Sequence, residues 1–377
     1  MQPLLHKKRY VFFLVIGTVA SALSGCGSDD GATVRNLGEA DGSSSQSGSS
    51  SAPATAGPTG DATADGGYDY ASDVSAHRLV VNDICEIALL IGADEIDFES
   101  AADIYQNGSN SINSDGSVRT LAGFATATDR NHGLAEYYGT PAPLNDWITE
   151  AFDGTGRFDA QTMEARVQGA EKGIQNQTMV AWAIHELESA MSKAIEGDID
   201  PASGAPHNWD EAWAYYHGAS PQCGPYVTAD KRGNDFGTVN SDGTSAVNEA
   251  ILGAMIAGRD ALADGDIDAA QQAADEIIRN IVITYSQASV KYAGLLGDDI
   301  ASDDLEAAAK HWAEGLAFFR VVEAIVADAG ADVDAINRAY SFDNNTTGTD
   351  ASTLVAEALK PAWDTLGITT KDIGELG

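Results

Sequence analysis

The sequence predicts an all-α fold, organised as a helical bundle with an internal duplication. After residue 72, apolar residues recur at helical spacing, and no region shows the sustained apolar and polar alternation of a strand. Gly-Asp corners interrupt this periodicity at 195–199, 263–267 and 296–300, where glycine ends one helix and aspartate caps the next. An aromatic motif that occurs twice indicates the duplication.

The repeated motif reads Trp-x-Glu-x-x-Ala followed by two aromatic residues, and its copies begin at Trp209 and Trp312. On a helix, residues three and four apart share a face, so the aromatic side chains form an apolar row beside Glu211 or Glu314. We therefore predict two related halves at about 160–220 and 265–330 of the chain, each with a carboxylate near its core.

The N-terminus has the order of an export signal, with three basic residues at 7–9 before an apolar run over 10–23. The run is short for a membrane span and ends in Leu-Ser-Gly-Cys, which resembles the bacterial lipobox. We predict a signal peptide over 1–25 and acylation of Cys26; an ordinary cleaved signal is the alternative. No aspartate directly follows the cysteine, which by resemblance to known lipoproteins favours the outer membrane of the cell envelope, with the lipid anchor as the sole membrane contact.

Residues 26–72 are dominated by small and polar residues, which predicts a flexible tether before a folded domain over 73–377. Acidic residues outnumber basic residues 57 to 21, so the formal net charge is −36. Such a field repels phosphates, which excludes nucleic acid as a partner. The charge fits either a solvated acidic surface or a field that concentrates cations near the protein.

Helices are predicted from apolar spacing, from capping residues and from the glycine and proline residues that end helices. In chain order they cover 78–91, 101–105, 120–128, 144–152, 159–196, 208–218, 246–262, 267–296, 304–329, 334–340 and 352–366. We expect a break near Gly173, a polar loop over 223–244, a capping pair at Asp303 and Glu306, and a kink at Pro361.

Two cysteines, Cys85 and Cys223, remain once Cys26 is lipidated. Two cysteines outside the cytoplasm most often pair, so we predict a disulfide between them. A metal thiolate site is the weaker alternative, because neither cysteine has another cysteine or a histidine at ligand spacing.

The sequence contains no Ser-His-Asp elbow, phosphate loop or dinucleotide fingerprint, so no catalytic activity is predicted. Instead, a histidine and a carboxylate stand three apart twice, and His207, Glu211 and Tyr215 form a row at steps of four. Helix bundles build iron and manganese sites from such pairs, although the familiar order is Glu-x-x-His. Carboxylate, imidazole and phenolate suit iron. The predicted ligands are His185, Glu188, Glu211, Tyr215, His311 and Glu314.

A structural interpretation competes with this metal site. The histidines then lie at the boundary of amphipathic helices, and Tyr215 serves packing. In that case Glu211 and Glu314 form salt bridges inside the duplicated core, with partners among Arg259, Arg279 and Arg320.

The lipoprotein start, the alanine-rich helical body and above all residues 209–218 resemble the Fea1 family of low-iron-inducible periplasmic proteins, known from algae and bacteria. The resemblance covers roughly residues 75–370 and implies an iron-assimilation protein without an established catalytic activity. It supplies no ligand set. The imelysin-like proteins, marked by Gly-x-His-x-x-Glu, are a second helical family linked to iron, but this chain has Ala183 in place of the glycine.

We therefore predict an envelope lipoprotein that binds iron or an iron chelate and helps deliver it to uptake machinery. The first alternative is an adhesion or scaffold lipoprotein whose core acids are ion-paired. The second is an imelysin-like metal-dependent protein, for which no positioned nucleophile or water-activating base is evident in the sequence.

Overall fold

The computed structural model describes residues 65–130, 133–343 and 347–377, and within these ranges the chain is helical apart from turns and two isolated bridges. The all-α prediction is confirmed. The predicted signal peptide, Cys26 and the tether up to residue 64 lie outside the described residues. No helix within the described ranges has the length and apolar character needed to cross a membrane.

The predicted helices occur in the predicted order, with bounds shifted by a few residues, and two short helices at 134–138 and 370–373 were not predicted. They are α1 Ser75–Arg78, α2 Val80–Ile91, α3 Phe98–Asn107, α4 Leu121–Ala125, α5 Leu134–Tyr138, α6 Pro143–Asp153, α7 Met163–Lys172, α8 Met179–Glu196, α9 Ala205–Tyr216, α10 Pro225–Asp235, α11 Ala246–Asp264, α12 Ile267–Ala301, α13 Leu305–Asp328, α14 Val333–Ala339, α15 Gly348–Leu366 and α16 Thr370–Ile373.

Several details differ from the sequence prediction. The corner predicted at 296–300 is wrong, because α12 continues through these residues to Ala301 and Gly297 is buried within the helix. At 195–199, Gly197 ends α8 as predicted, but α9 begins only after Gly204.

The polar segment over 223–244 contains α10, because a proline at its first turn starts the helix and Ala229 and Arg232 are buried. The cap of α13 is Asp304, whose carboxylate accepts from the Ala307 amide, whereas Asp303 adopts a positive φ of 60°.

The expected break at Gly173 is a π-helical turn, Gly173–Thr178, that joins α7 to α8 without ending the helix. A Cβ atom at Gly173 would lie 2.7 Å from Cδ1 of the Trp147 indole, so glycine permits this close approach. The amide oxygen of Asn176 in this turn accepts hydrogen bonds from Thr228 and Tyr285. The wider turn therefore places polar groups inside the bundle.

The long helix α12 is the centre of the bundle, packed against α11, α13 and α15, while α8 packs along α9 and α1 lies against α9. The disulfide between Cys85 and Cys223 is present, with the two Cα atoms 5.4 Å apart. It joins α2 to the 3-10 turn Pro221–Cys223 that follows α9. The helices next to the candidate site are thus tied together covalently.

Residues 65–74, here called the N-terminal strap, pack against α9. Tyr68 is fully buried and its hydroxyl donates to Asp210 at 2.8 Å, while the Trp213 indole donates to the Asp65 carbonyl at 3.0 Å. Composition placed residues 65–72 in the tether. The strap packs nonetheless, because two tyrosines, Tyr68 and Tyr70, supply apolar surface in an otherwise polar segment.

Candidate metal centre

Three possible ligand atoms converge at the junction of α1 and α9. His77 Nε2, His207 Nε2 and Glu211 Oε1 all lie within 4.8 Å of one another. Glu211 Oε1 is 3.0 Å from His77 Nε2 and 2.9 Å from His207 Nε2. His77 and Glu211 are buried, and His207 is half-buried. Within the described ranges, this is the group of three such residues that could hold a metal ion.

Local structure explains how α9 supplies two of these side chains. Pro206 lies in the first turn of α9, where its missing amide hydrogen costs nothing. His207 and Glu211 follow one turn apart, so they project from the same face.

His77 reaches the same point from α1. The following residue, Arg78, forms an ion pair with the buried Asp65, and its carbonyl accepts from the Ala219 amide at 3.0 Å. The short helix is therefore held at both the strap and the end of α9.

A second buried carboxyl lies beside Glu211. Glu186 on α8 accepts from the Trp182 indole at 3.1 Å and from the Asn208 amide at 2.6 Å, and it hydrogen-bonds to Glu211. Burial, and then the charge of Glu211, raises the pKa of Glu186 well above its usual range. Burial also opposes ionisation of Glu211, but His77 and His207 outweigh it and hold its pKa well below the usual range. The opposite shifts favour a proton on Glu186 and a negative charge on Glu211.

Arg119 and Glu211 both contact Nε2 of His77, but the two contacts require opposite hydrogen-bonding roles of this atom. Its guanidinium Nη2 lies 2.7 Å from His77 Nε2, and its Nη1 donates to Ser111 at 2.9 Å. Arginine can only donate, and the Glu211 carboxylate can only accept, so the two contacts at His77 Nε2 cannot both be hydrogen bonds. A cation bound by His77 Nε2 and Glu211 Oε1 relieves the contact between these two atoms, although it competes with Arg119. The donor set therefore fits a metal ion.

The six ligands predicted from sequence lie in three places. Glu211 is in the cluster, and Tyr215 borders it: its ring stacks on Trp182 at 4.2 Å and meets the His77 ring edge-on at 6.1 Å. On α8, His185 lies near the Phe124 ring and Ser189, half-buried like Glu188.

On α13, His311 Nδ1 is 2.5 Å from Asp299, and the Glu314 carboxylate accepts from Tyr292 at 3.5 Å. The α8 and α13 pairs are outside the three-residue cluster, and their role as ligands remains a prediction.

The competing ion-pair interpretation named three arginines. Arg259 pairs with Asp260, Arg279 pairs with Asp372 at 2.7 Å, and Arg320 contacts Gln177 and the Tyr138 ring. None of these contacts, all between described residues, involves Glu211 or Glu314.

Sequence reasoning missed His77, Arg119 and Glu186 as parts of the site. Only Glu186 had a local signal, because it stands one turn after Trp182 and directly beside the predicted ligand His185. The other two come from distant segments.

Fold and cluster together define an all-α protein with a candidate metal centre of two histidines and one carboxylate. The chain belongs to the Fea1 family, described as low iron-inducible periplasmic protein, whose family model matches residues 46–377. The resemblance drawn from residues 209–218 is thereby confirmed. Comparisons with curated proteins and with solved structures each find no match to this chain.

Proposed function

We propose that this protein binds iron through His77, His207 and Glu211 and serves iron assimilation in the cell envelope. The observation that carries the proposal is the convergence of these three ligand atoms within 4.8 Å in a mostly buried position. Two imidazoles and one carboxylate are a donor set that suits ferrous iron and leaves coordination positions open. The description of the family as low iron-inducible supports iron over other metals.

Coordination positions that the three protein ligands leave open would allow the site to exchange its metal. Three protein ligands leave room for water or for the donor atoms of a chelate, so iron could arrive and leave without unfolding the site. The net charge of −36 attracts cations toward the protein. Both features fit capture and delivery to uptake machinery.

We further propose that lipidation of Cys26 anchors the protein in the outer membrane and that the preceding segment 1–25 is removed. The family description as periplasmic is compatible with this placement. Labelling with a radioactive fatty acid, with Cys26→Ser as the control, tests it; equal labelling of both proteins would contradict lipidation.

The central test is anaerobic titration of the purified protein with Fe²⁺, with metal content measured after dialysis. His207→Ala and Glu211→Gln should lower iron affinity more than about 100-fold, since even outer partners of metal ligands are worth about 10–100-fold. His311→Ala, which alters the predicted ligand beside Asp299 on α13, is the comparison variant. It should leave the affinity unchanged, and a similar loss would assign iron binding to the α13 pair instead of the cluster. If the parent protein holds no stoichiometric iron, the metal proposal is wrong.

A scaffold lipoprotein with ion-paired core acids is the alternative, and the contact between Arg119 and His77 is the observation that favours it. In that case the Glu211 and His207 variants would lower the melting temperature and no metal would change it. An imelysin-like metal-dependent protein is a further alternative; hydrolysis of a test substrate that depends on Glu211 would favour it.

A further inference from the structure

We infer that Ser72 of the N-terminal strap is a positioning residue for the metal centre, holding the hydrogen of His207 on Nδ1 so that Nε2 faces Glu211. The inference rests on the proposed function for its effect on iron, but its structural content can be tested without metal.

The contacts of Ser72 form a short chain from the strap to the ligand. Its hydroxyl oxygen lies 3.0 Å from His207 Nδ1 and 2.7 Å from Asp210 Oδ2. Its backbone amide also donates to Asp210 Oδ2 at 2.7 Å, and Tyr68 donates to Asp210 Oδ1 at 2.8 Å. Ser72 and Asp210 are both fully buried, so water does not compete for these contacts.

Counting hydrogens decides the direction of each bond. The Ser72 hydroxyl has one hydrogen, and the Asp210 carboxylate can only accept, so this hydrogen points to Asp210. Ser72 Oγ can then only accept from His207, which requires a hydrogen on Nδ1. The opposite ring nitrogen, Nε2, lies 2.9 Å from the Glu211 carboxylate, which also only accepts, so in metal-free protein a hydrogen on Nε2 joins these two atoms. A metal ion bound between them would take the place of that hydrogen, while Ser72 keeps the hydrogen on Nδ1, as is usual when an outer partner binds the other nitrogen of a histidine ligand.

The position of Ser72 in the chain gives this contact a wider consequence. It belongs to the strap, whose residues 65–72 form the end of the segment predicted to be the tether. Asp65, Tyr68 and Tyr70 secure the strap through the Arg78 ion pair, the Asp210 hydrogen bond and buried aromatic surface. The orientation of a ligand on α9 therefore depends on docking of a segment more than a hundred residues earlier in the chain.

The test uses Ser72→Ala, Ser72→Thr and the matched control Ser75→Ala in the full protein. Ser75 is exposed and, among the described residues, its hydroxyl donates to Asp73 and not to His207, so its removal leaves His207 untouched. In Ser72→Ala, Asp210 keeps the Tyr68 hydroxyl and the residue 72 amide as donors, which should preserve folding.

Two measurements are made on each variant. Nitrogen-15 NMR of the histidine rings in metal-free protein at pH 8 should show hydrogen on His207 Nδ1 in the parent, Ser72→Thr and Ser75→Ala, and a loss of this preference in Ser72→Ala. Anaerobic Fe²⁺ titration should show affinity about 10–100-fold weaker in Ser72→Ala only.

A parent protein with hydrogen on Nε2 alone, or a Ser72→Ala variant with unchanged tautomer and affinity, would overturn the inference. If the parent binds no Fe²⁺, the proposed function fails, but the NMR result still decides whether Ser72 sets the tautomer.

Discussion

Glu186 and Glu211 are hydrogen-bonded buried carboxyl groups whose pKa values shift in opposite directions. Glu186 also accepts hydrogen bonds from the neutral donors Trp182 and Asn208, whereas Glu211 faces His77 and His207. The pair therefore places one proton and one negative charge at defined positions beside the candidate metal centre.

This asymmetry predicts different effects of two identical substitutions. Glu186→Gln replaces a neutral carboxyl with a neutral amide of similar shape and should cost less than about 2 kcal/mol of stability, with iron affinity largely kept. Glu211→Gln removes the charged ligand and should abolish tight Fe²⁺ binding. Parallel thermal unfolding and Fe²⁺ titration measure both, and equal effects of the two variants would contradict the assigned protonation.

The pH dependence of stability should reflect the raised pKa of Glu186. A carboxyl with a folded pKa above its unfolded value of about 4.3 keeps its proton in the folded state while the unfolded state loses it. Its contribution therefore falls as pH rises from about 4.5 toward the folded pKa, by about 1.4 kcal/mol per pH unit. Urea unfolding of metal-free protein between pH 4.5 and 7 should show this slope reduced in Glu186→Gln; identical slopes would contradict it.

Glu211 should act in the opposite direction and in a lower pH range. Its lowered pKa means that its stabilising contribution is present above the unfolded value of about 4.3 and is lost as pH falls through the folded pKa. Acid unfolding of metal-free protein below pH 4 should therefore be less steep in Glu211→Gln than in the parent.

Two glycines on α11 should respond oppositely to alanine. A Cβ at Gly258 would lie 1.9 Å from the Trp209 indole, whose Nε1 donates to the Met255 carbonyl, while a Cβ at Gly253 meets nothing within 4 Å. Gly258→Ala should destabilise the protein by at least about 1–3 kcal/mol through overpacking. Gly253→Ala should stabilise it by about 0.5–1 kcal/mol through helix propensity. Urea unfolding measures the stability of both variants. Similar shifts of the unfolding midpoint would show that the Trp209 indole does not pack against Gly258.

The disulfide should contribute to stability and to the position of His77. Cys85 and Cys223 are separated by 138 residues, and closing so long a loop typically contributes about 2–5 kcal/mol. The double variant Cys85→Ser and Cys223→Ser should lose about this much in urea unfolding. It should also bind Fe²⁺ more weakly, because α2 continues from the helix that carries His77. An unchanged unfolding midpoint would contradict the first expectation.

Local signals in the sequence were sufficient for most of the fold. Helical periodicity and the corner at Gly265 and Asp266 depend on neighbouring residues, so they predicted helices. The disulfide was predicted because only two cysteines remain after Cys26, and they can pair with each other. Helix α10 was missed because its buried face is short and mostly made of small or charged residues.

Part of the candidate site could likewise be predicted from local sequence, and part could not. The row of His207, Glu211 and Tyr215 is local to α9 and was visible as steps of four, whereas helical spacing at His185 and Glu188 showed a shared face without showing what that face meets. Which side chain of α8 approaches α9 depends on how the two helices are rotated against each other, and packing selects Glu186.

By itself, the sequence determined an all-α chain, a disulfide between Cys85 and Cys223 and a carboxylate on an aromatic helix, because these follow from residue spacing and composition. Only the tertiary structure decided what surrounds Glu211. His77, Arg119 and Ser72 lie far from it along the chain and reach it through helix packing and the docked strap, which no local pattern encodes.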